Sequence, residues 1–411
     1  MAEPKSTASP VARLLLLGAG HFAMDGYGQS VAALLPTFAA LYAAGQLKVS
    51  MLWIVLQVSS SASQPVWGIL GDRAGLRFGV TFGPLVAAGA FAAIALRPPF
   101  AVLALLVAAT GVGVASFHPH AAVEVQRAAG SGSERAMSVF LFAGTLGLGI
   151  MPVAVFALTR FWGVTGLVAA LPPGAVLTAL FLRLGLAPRH APARRVRAVS
   201  EEPRRPRRSG IVVLVTTSVM RAFVIVSAYA VIPFILPEDS GGGWSVPIYV
   251  GSLAFSAGLG GLVYGLIAPP FRAKWAIAVS CLAAAPILVL FTFTADGWAG
   301  LALLVAFGLV LGSTVPMTVS MSQRMIPRSA GLASGLTMGF SWGIGGALGT
   351  FLLAGAAQRL EPAFGLRTAN LLALGLAAVV LVAAGGIACF LPSREPCSGR
   401  EVGDVGQIER A

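Results

Sequence analysis

Residues 188–209 read Pro188-Arg-His-Ala-Pro-Ala-Arg-Arg-Val-Arg-Ala-Val-Ser-Glu-Glu-Pro-Arg-Arg-Pro-Arg-Arg-Ser209, a basic, proline-punctuated run near the middle of a 411-residue chain. No other stretch stays polar for so long. On both sides the sequence is apolar almost throughout: 57% of residues are hydrophobic, 10% are charged, and the mean hydropathy is +0.85. Soluble domains carry about a quarter charged residues, so this chain lacks the charge to cover a surface facing water. An integral membrane protein is the class that fits. Three cysteines (Cys281, Cys389, Cys397) make no disulfide framework, and no metal-ligand spacing joins them to the four histidines. The first apolar stretch is too long for a signal-peptide core and carries His21 and Asp25, so no cleavable signal is expected.

Working outward from the polar run, the polar breaks divide the rest into twelve apolar segments, each about twenty residues or longer and so able to span a bilayer. They are 12–44, 50–70, 78–96, 100–128, 136–159 and 163–184 before it, and 210–236, 246–268, 275–294, 298–323, 330–357 and 366–391 after it. The net charge of +13 raises the question of nucleic acid, and its distribution answers it. With the N-terminus inside, 22 of the 28 Lys and Arg fall on the cytoplasmic side, nine of them in the middle loop. That bias is a topology signal with both termini cytoplasmic, and no nucleic-acid partner is needed to explain it.

The two sides also repeat. At an offset of 197, Pro36 meets Pro233, Gly111 meets Gly308, Ser116 meets Ser313, Pro119 meets Pro316, Gln126-Arg127 meets Gln323-Arg324 and Gly149 meets Gly346. The expected organisation is an N-terminal six-helix half (1–186), a loosely ordered linker anchored at anionic headgroups (187–209), a C-terminal six-helix half (210–392) and a cytoplasmic tail (393–411). Two pseudo-symmetric halves in parallel duplication resemble the major facilitator architecture, an all-α integral membrane fold whose substrate site lies at mid-membrane between the halves.

Ionisable groups in a bilayer cost on the order of a few kcal/mol, so each is a functional candidate. His21, Asp25 and Gln29 are four residues apart and share one helix face. Burial favours the protonated form of an Asp, and a nearby imidazole can share or relay the proton. The alternative is a static hydrogen-bonded pair. In helix 4, Phe117-His118-Pro119-His120 precedes Glu124 and Arg127; Pro119 breaks the backbone ladder, and His118 is deep enough to be costly when charged. Glu124 reads as a gate salt bridge with an Arg of the neighbouring loop.

Arg221 is the one cation deep in a helix. It suits a carboxylate, phosphonate or phosphate, or else pairs with Asp25 across the halves. Gln57, Gln64, Gln323, Asn370 and Trp342 are weaker cavity-lining candidates. The stretch Gly68-Ile-Leu-Gly-Asp72-Arg73-Ala-Gly75-Leu-Arg77 reads as a tight glycine turn that latches the halves inside; its counterpart, Gly265 to Lys274, lacks the Asp. Glycines of helices 5 and 11 suggest close helix packing. No catalytic constellation, metal cluster or dinucleotide fingerprint is present, so an enzyme is not expected, nor any cofactor beyond a proton gradient.

The Gly68–Arg77 stretch resembles the signature loop of the major facilitator superfamily. His21-Phe-Ala-Met-Asp25 running to Leu35-Pro36, Gln64-Pro65-Val-Trp-Gly68 and Phe117-His118-Pro119 resemble the fosmidomycin resistance family. Arg221, Gln323 before Ile326-Pro327, and Ala333-Ser334-Gly335-Leu336 agree. The resemblance implies a proton-driven inner-membrane exporter of small antibiotics, among them a phosphonate. Asp25 and His118 would then be coupling or cavity residues, and Arg221 would suit an anionic substrate. A monomer in contact with membrane lipids is the default. Two other readings stay open: a symporter or uniporter taking up an organic anion, and a non-cycling receptor or lipid-handling protein.

Overall fold

The computed structural model describes residues 9–74, 78–129, 133–184, 208–236, 243–267, 273–326, 333 and 335–392, with backbone alone at 71–74, 133–135 and 208. Among these residues there is no strand. Residues 187–207 of the expected linker, the C-terminal tail, Cys397, Gly75, Arg77, Arg272 and Ser334 lie outside them, while Arg208 and Ser209 already belong to the next helix.

Helix α1 (Pro10–Ala33) starts where Ser9 Oγ accepts the Ala12 N–H, with Pro10 in a first turn that needs no donor. It stops at Leu34, because Pro36 brings no N–H to continue the ladder, and α2 (Leu35–Leu41) completes the expected first span. The second expected span is also interrupted. Helix α3 (Gln46–Gln57) widens into a π-helical turn, Val58–Ala62, before α4 (Gln64–Ala74). There the Ser59 and Ser60 hydroxyls donate to the Val55 and Leu56 carbonyls, while Pro65 removes the next backbone donor. Helix α4 runs through Gly68, Asp72 and Arg73 to Ala74, so most of the expected glycine turn is helical. The polar residues there lengthen the helix instead of ending it.

Next come α5 (Phe78–Ala93), α6 (Phe100–Ala129), α7 (Ser133–Trp162) and α8 (Leu171–Arg183). The expected break between the fifth and sixth spans is a tight junction, Gly163 with φ 63° opening the 3₁₀ run Gly163–Ala170. The second half holds α9 (Arg208–Val231), α10 (Ser245–Ile267), α11 (Ala273–Phe293), α12 (Gly297–Gly312) and α13 (Val315–Met325). After a π-helical Gly335–Phe340 follow α14 (Ser341–Phe364) and α15 (Leu366–Ala388). The expected tenth span, 298–323, is thus cut at Ser313–Thr314, where Pro316 sits in the first turn of α13. Among the described residues nine segments are long and apolar enough to cross a membrane, and the run 136–183 covers two of the expected spans. The first two expected spans are not among the nine.

Helix α1 packs along α7 and α6, and α9 along α14; α5 packs on α8, and α11 on α15. The halves meet where α7 lies on α10 and α3 on α14. The offset of 197 recurs in these contacts. A Cβ on Gly111 would strike Ser59 Oγ, and one on Gly308 would strike Ser256 Oγ, both members of the pair displaced by the same offset. Glycines set the close approach expected of helices 5 and 11: Gly147 abuts the Phe22 carbonyl, and Gly345 and Gly349 abut those of Val219 and Phe223. Outward-facing Leu105, Phe293, Leu376 and Phe390 are exposed, a surface suited to lipid.

Candidate functional site

The expected site residues fall into separate places. The first is a triad where α1, α6 and α7 meet. His118 Nε2 lies 2.8 Å from Asp25 Oδ1, and His21 Nε2 lies 3.2 Å from Asp25 Oδ2. Each ring is held from behind by a backbone carbonyl: His21 Nδ1 donates to Phe140 O, and His118 Nδ1 to Val114 O, both at 2.7 Å. The Phe140 ring stacks on His21 at 4.1 Å, and the two imidazoles meet edge to face at 5.0 Å. Gly144 of α7 closes the group, since a Cβ there would stand 2.5 Å from Asp25 Oδ2 and 2.6 Å from the His21 ring. His21 is buried, and the Asp25 and His118 side chains are 19% exposed.

One ligand-capable atom from each of the three lies within 4.8 Å of the others. Ligands around a first-row metal at about 2.1 Å stand roughly 3 Å or more apart, whereas His118 and Asp25 meet at 2.8 Å. That separation is a hydrogen bond's.

The second place is Arg221. Its Nη2 donates to Thr314 Oγ1 at 2.8 Å and to the Leu311 carbonyl; Nη1 donates to Thr318 Oγ1 at 3.3 Å. The α12–α13 break makes this possible by turning Leu311 O and Thr314 toward α9. Arg221 is 5% exposed, its Nε has no hydrogen-bond partner, and no acid pairs with it among the described residues. The alternative pairing with Asp25 is therefore not formed; each ion is held within its own half. Arg221 lines a cavity with Ser218, Thr318, Thr337 and Trp342, which brings together two expected substrate residues.

The third place joins the halves. Asn370 of α15 exchanges two hydrogen bonds with Gln46 of α3, at 2.6 and 2.8 Å, both side chains buried. Seven residues on, Trp53 Nε1 donates to the Val226 carbonyl of α9 at 3.0 Å. Asn370 thus lies in a clasp at the end of the bundle where α3 and α15 begin, away from the cavity.

Gln29 is buried with its Nε2 unpartnered, Gln57 is buried at the end of α3, Gln64 opens α4 half-buried, and Gln323 is exposed on α13. Glu124 pairs with Arg127 of its own helix at 3.0 Å; the side chains of the neighbouring loop arginines, Arg73, Arg77 and Arg135, lie outside the described residues. The side chains of Asp72 and Arg73, and all of Gly75 and Arg77, lie outside the described residues.

Sequence reasoning missed Gln46, Thr314 and Thr318. For the threonines a signal existed: the offset of 197 carries His118 to Val315, so Thr314 and Thr318 stand where the partner of a group on the preceding repeat's helix belongs.

The profile of the Major Facilitator Superfamily matches residues 15–350. The chain belongs to this superfamily. It is 24% identical over 307 residues to the Fosmidomycin resistance protein of Escherichia coli, covering 72% of this chain and 75% of that one. Among solved structures, a bacterial homolog of the human lysosomal transporter Spinster, in an inward-facing and occupied conformation, superposes with TM-score 0.74 at 14% identity, over 95% and 97% of the two chains. The nucleoside transporter NupG gives 0.71 at 15%, over 92% and 99%. This major facilitator is accordingly a multi-pass membrane transporter, not an enzyme.

Proposed function

We propose that the protein exports a small, anionic, antibiotic-like compound from the cytoplasm across the inner membrane by proton-coupled antiport. It works by alternating access, as a monomer with both termini cytoplasmic. The observation that carries this reading is Arg221, a buried guanidinium that lines a cavity beside Trp342 with a free Nε and no acid partner among the described residues. A buried charge without a counter-ion is costly, and a carboxylate, phosphonate or phosphate entering the cavity supplies one. The fosmidomycin resistance relative favours export and a phosphonate as first probe. The His21–Asp25–His118 triad supplies a proton site on the opposite half.

One observation favours the symport reading as an alternative. Arg221 and Asp25 share no network, so anion and proton do not compete for one carboxylate, and a protonated triad attracts an anion. The test is purified protein in liposomes loaded with a pH-sensitive dye, with a pH gradient imposed and fosmidomycin, simple carboxylates and hydrophobic drugs added. Antiport moves protons against the direction of fosmidomycin; symport moves them with it. Binding without flux in wild type, Arg221→Ala and Asp25→Asn alike would overturn both in favour of a receptor.

A further inference from the structure

We infer that His21, Asp25 and His118 together carry two exchangeable protons, loaded and unloaded as a unit. The inference rests on the reading of this triad as the coupling site and adds its count.

A carbonyl oxygen only accepts, so the contacts to Phe140 O and Val114 O require a hydrogen on Nδ1 of both rings. A neutral imidazole has one ring hydrogen. With that hydrogen committed to the backbone, a neutral ring presents its Nε2 lone pair to Asp25. The two rings address different oxygens of the one carboxylate, at 2.8 and 3.2 Å. Two lone pairs at such distances repel unless a hydrogen lies between them, so each contact needs its own proton. An imidazole is ordinarily a stronger base than a carboxylate, so both of these protons are assigned to the rings. The loaded triad is two imidazolium rings and a carboxylate, net +1; the unloaded triad is two neutral rings and a carboxylate, net −1. Both protons leave from the Nε2–Asp25 contacts.

Among the described residues, no other titratable side chain is placed in hydrogen-bonding contact with the triad. On α1, Arg13 reaches the Leu184 carbonyl and Tyr27 donates to Ala170 O. On α6, His120 bonds Ser116 O and Glu124 pairs with Arg127. Helix α7 faces the triad with Phe140 and Gly144, and Arg221 of α9 is tied to α12 and α13. Unloading sets lone pair against lone pair between α1 and α6, so proton loss pushes those helices apart. Proton count and helix contact are thereby the same event.

The test uses the full chain in lipid nanodiscs, isotopically labelled on its histidine ring nitrogens and followed by NMR across pH. His21→Asn and His118→Asn assign the signals. The expected result is that both rings pass from doubly protonated to neutral with the hydrogen retained on Nδ1, and that Asp25→Asn uncouples the two steps. A ring that keeps one protonation state throughout, or a neutral ring with its hydrogen on Nε2, overturns the inference. In liposomes, the reversal potential with fosmidomycin should read two protons per substrate, and a ratio of one overturns it. Two titrating rings without any fosmidomycin flux would remove the proposed function and leave the proton count standing. Proton-coupled flux with one titrating ring would do the opposite.

Discussion

Asp25 on α1 and Arg221 on α9 stand one residue apart in the register of the repeat, since the offset of 197 carries Met24 to Arg221. Each is held by the next equivalent helix of its own half: Asp25 by His118 of α6, and Arg221 by Thr314 and Thr318 at the α12–α13 break. One duplicated frame thus presents a buried carboxyl group on one side and a guanidinium on the other.

Removal of the cation should separate binding from folding. Arg221→Ala is expected to weaken fosmidomycin binding tenfold or more, about the worth of a charge-assisted hydrogen bond. Arg221→Lys should not restore it, because an ammonium lacks the fork that spans Thr314, Thr318 and a ligand oxygen. Calorimetric titration of the purified protein measures this, with thermal unfolding as the control for structure.

Asp25→Asn keeps the shape of the side chain and removes its charge. Wild type should export faster as the external side is made more acidic, because acid loads the triad from outside. In Asp25→Asn that pH dependence should vanish, while fosmidomycin exchange across liposomes at equal pH persists. Loss of exchange as well would assign Asp25 to substrate binding.

Gly144→Ala places a methyl 2.5 Å from Asp25 Oδ2. Overpacking of this kind costs about 1–3 kcal/mol, and here the strain falls on the triad, so gradient-driven transport should drop along with stability. Gly28→Ala on α1, where a Cβ meets nothing within 4 Å, should change neither.

The Gln46–Asn370 clasp joins α3 to α15 through two buried hydrogen bonds. Asn370→Ala leaves a buried amide unpaired, a penalty of about 1–3 kcal/mol, so the halves should part at this end about tenfold more often. Cysteine accessibility along the start of α3 reads that change. Gln46→Leu combined with Asn370→Leu should recover part of the closure, since both orphaned groups are then gone.

Much of this was readable from the residues. The wealth of apolar residues and the shortage of charge required a membrane protein, because no soluble surface could be made from them. The offset of 197 required a duplicated frame, and the rarity of ions in apolar helices singled out Asp25, His21, His118 and Arg221. Helix periodicity put His21 beside Asp25, a local relation that four residues of helix already specify. Tertiary structure alone decided the partners across helices. His118 reaches Asp25 over a separation of 93 residues, Arg221 turns to Thr314 and Thr318 instead of Asp25, and Asn370 binds Gln46 away from the cavity. Hydropathy cannot see such choices, because a pair of buried polar groups looks the same in sequence whether the groups meet a ligand or each other. The helix breaks at Leu34 and at Ser313–Thr314 were hidden for a related reason: each lies inside an expected apolar span, and what interrupts the backbone is a proline's missing N–H, which changes hydrogen bonding without changing polarity.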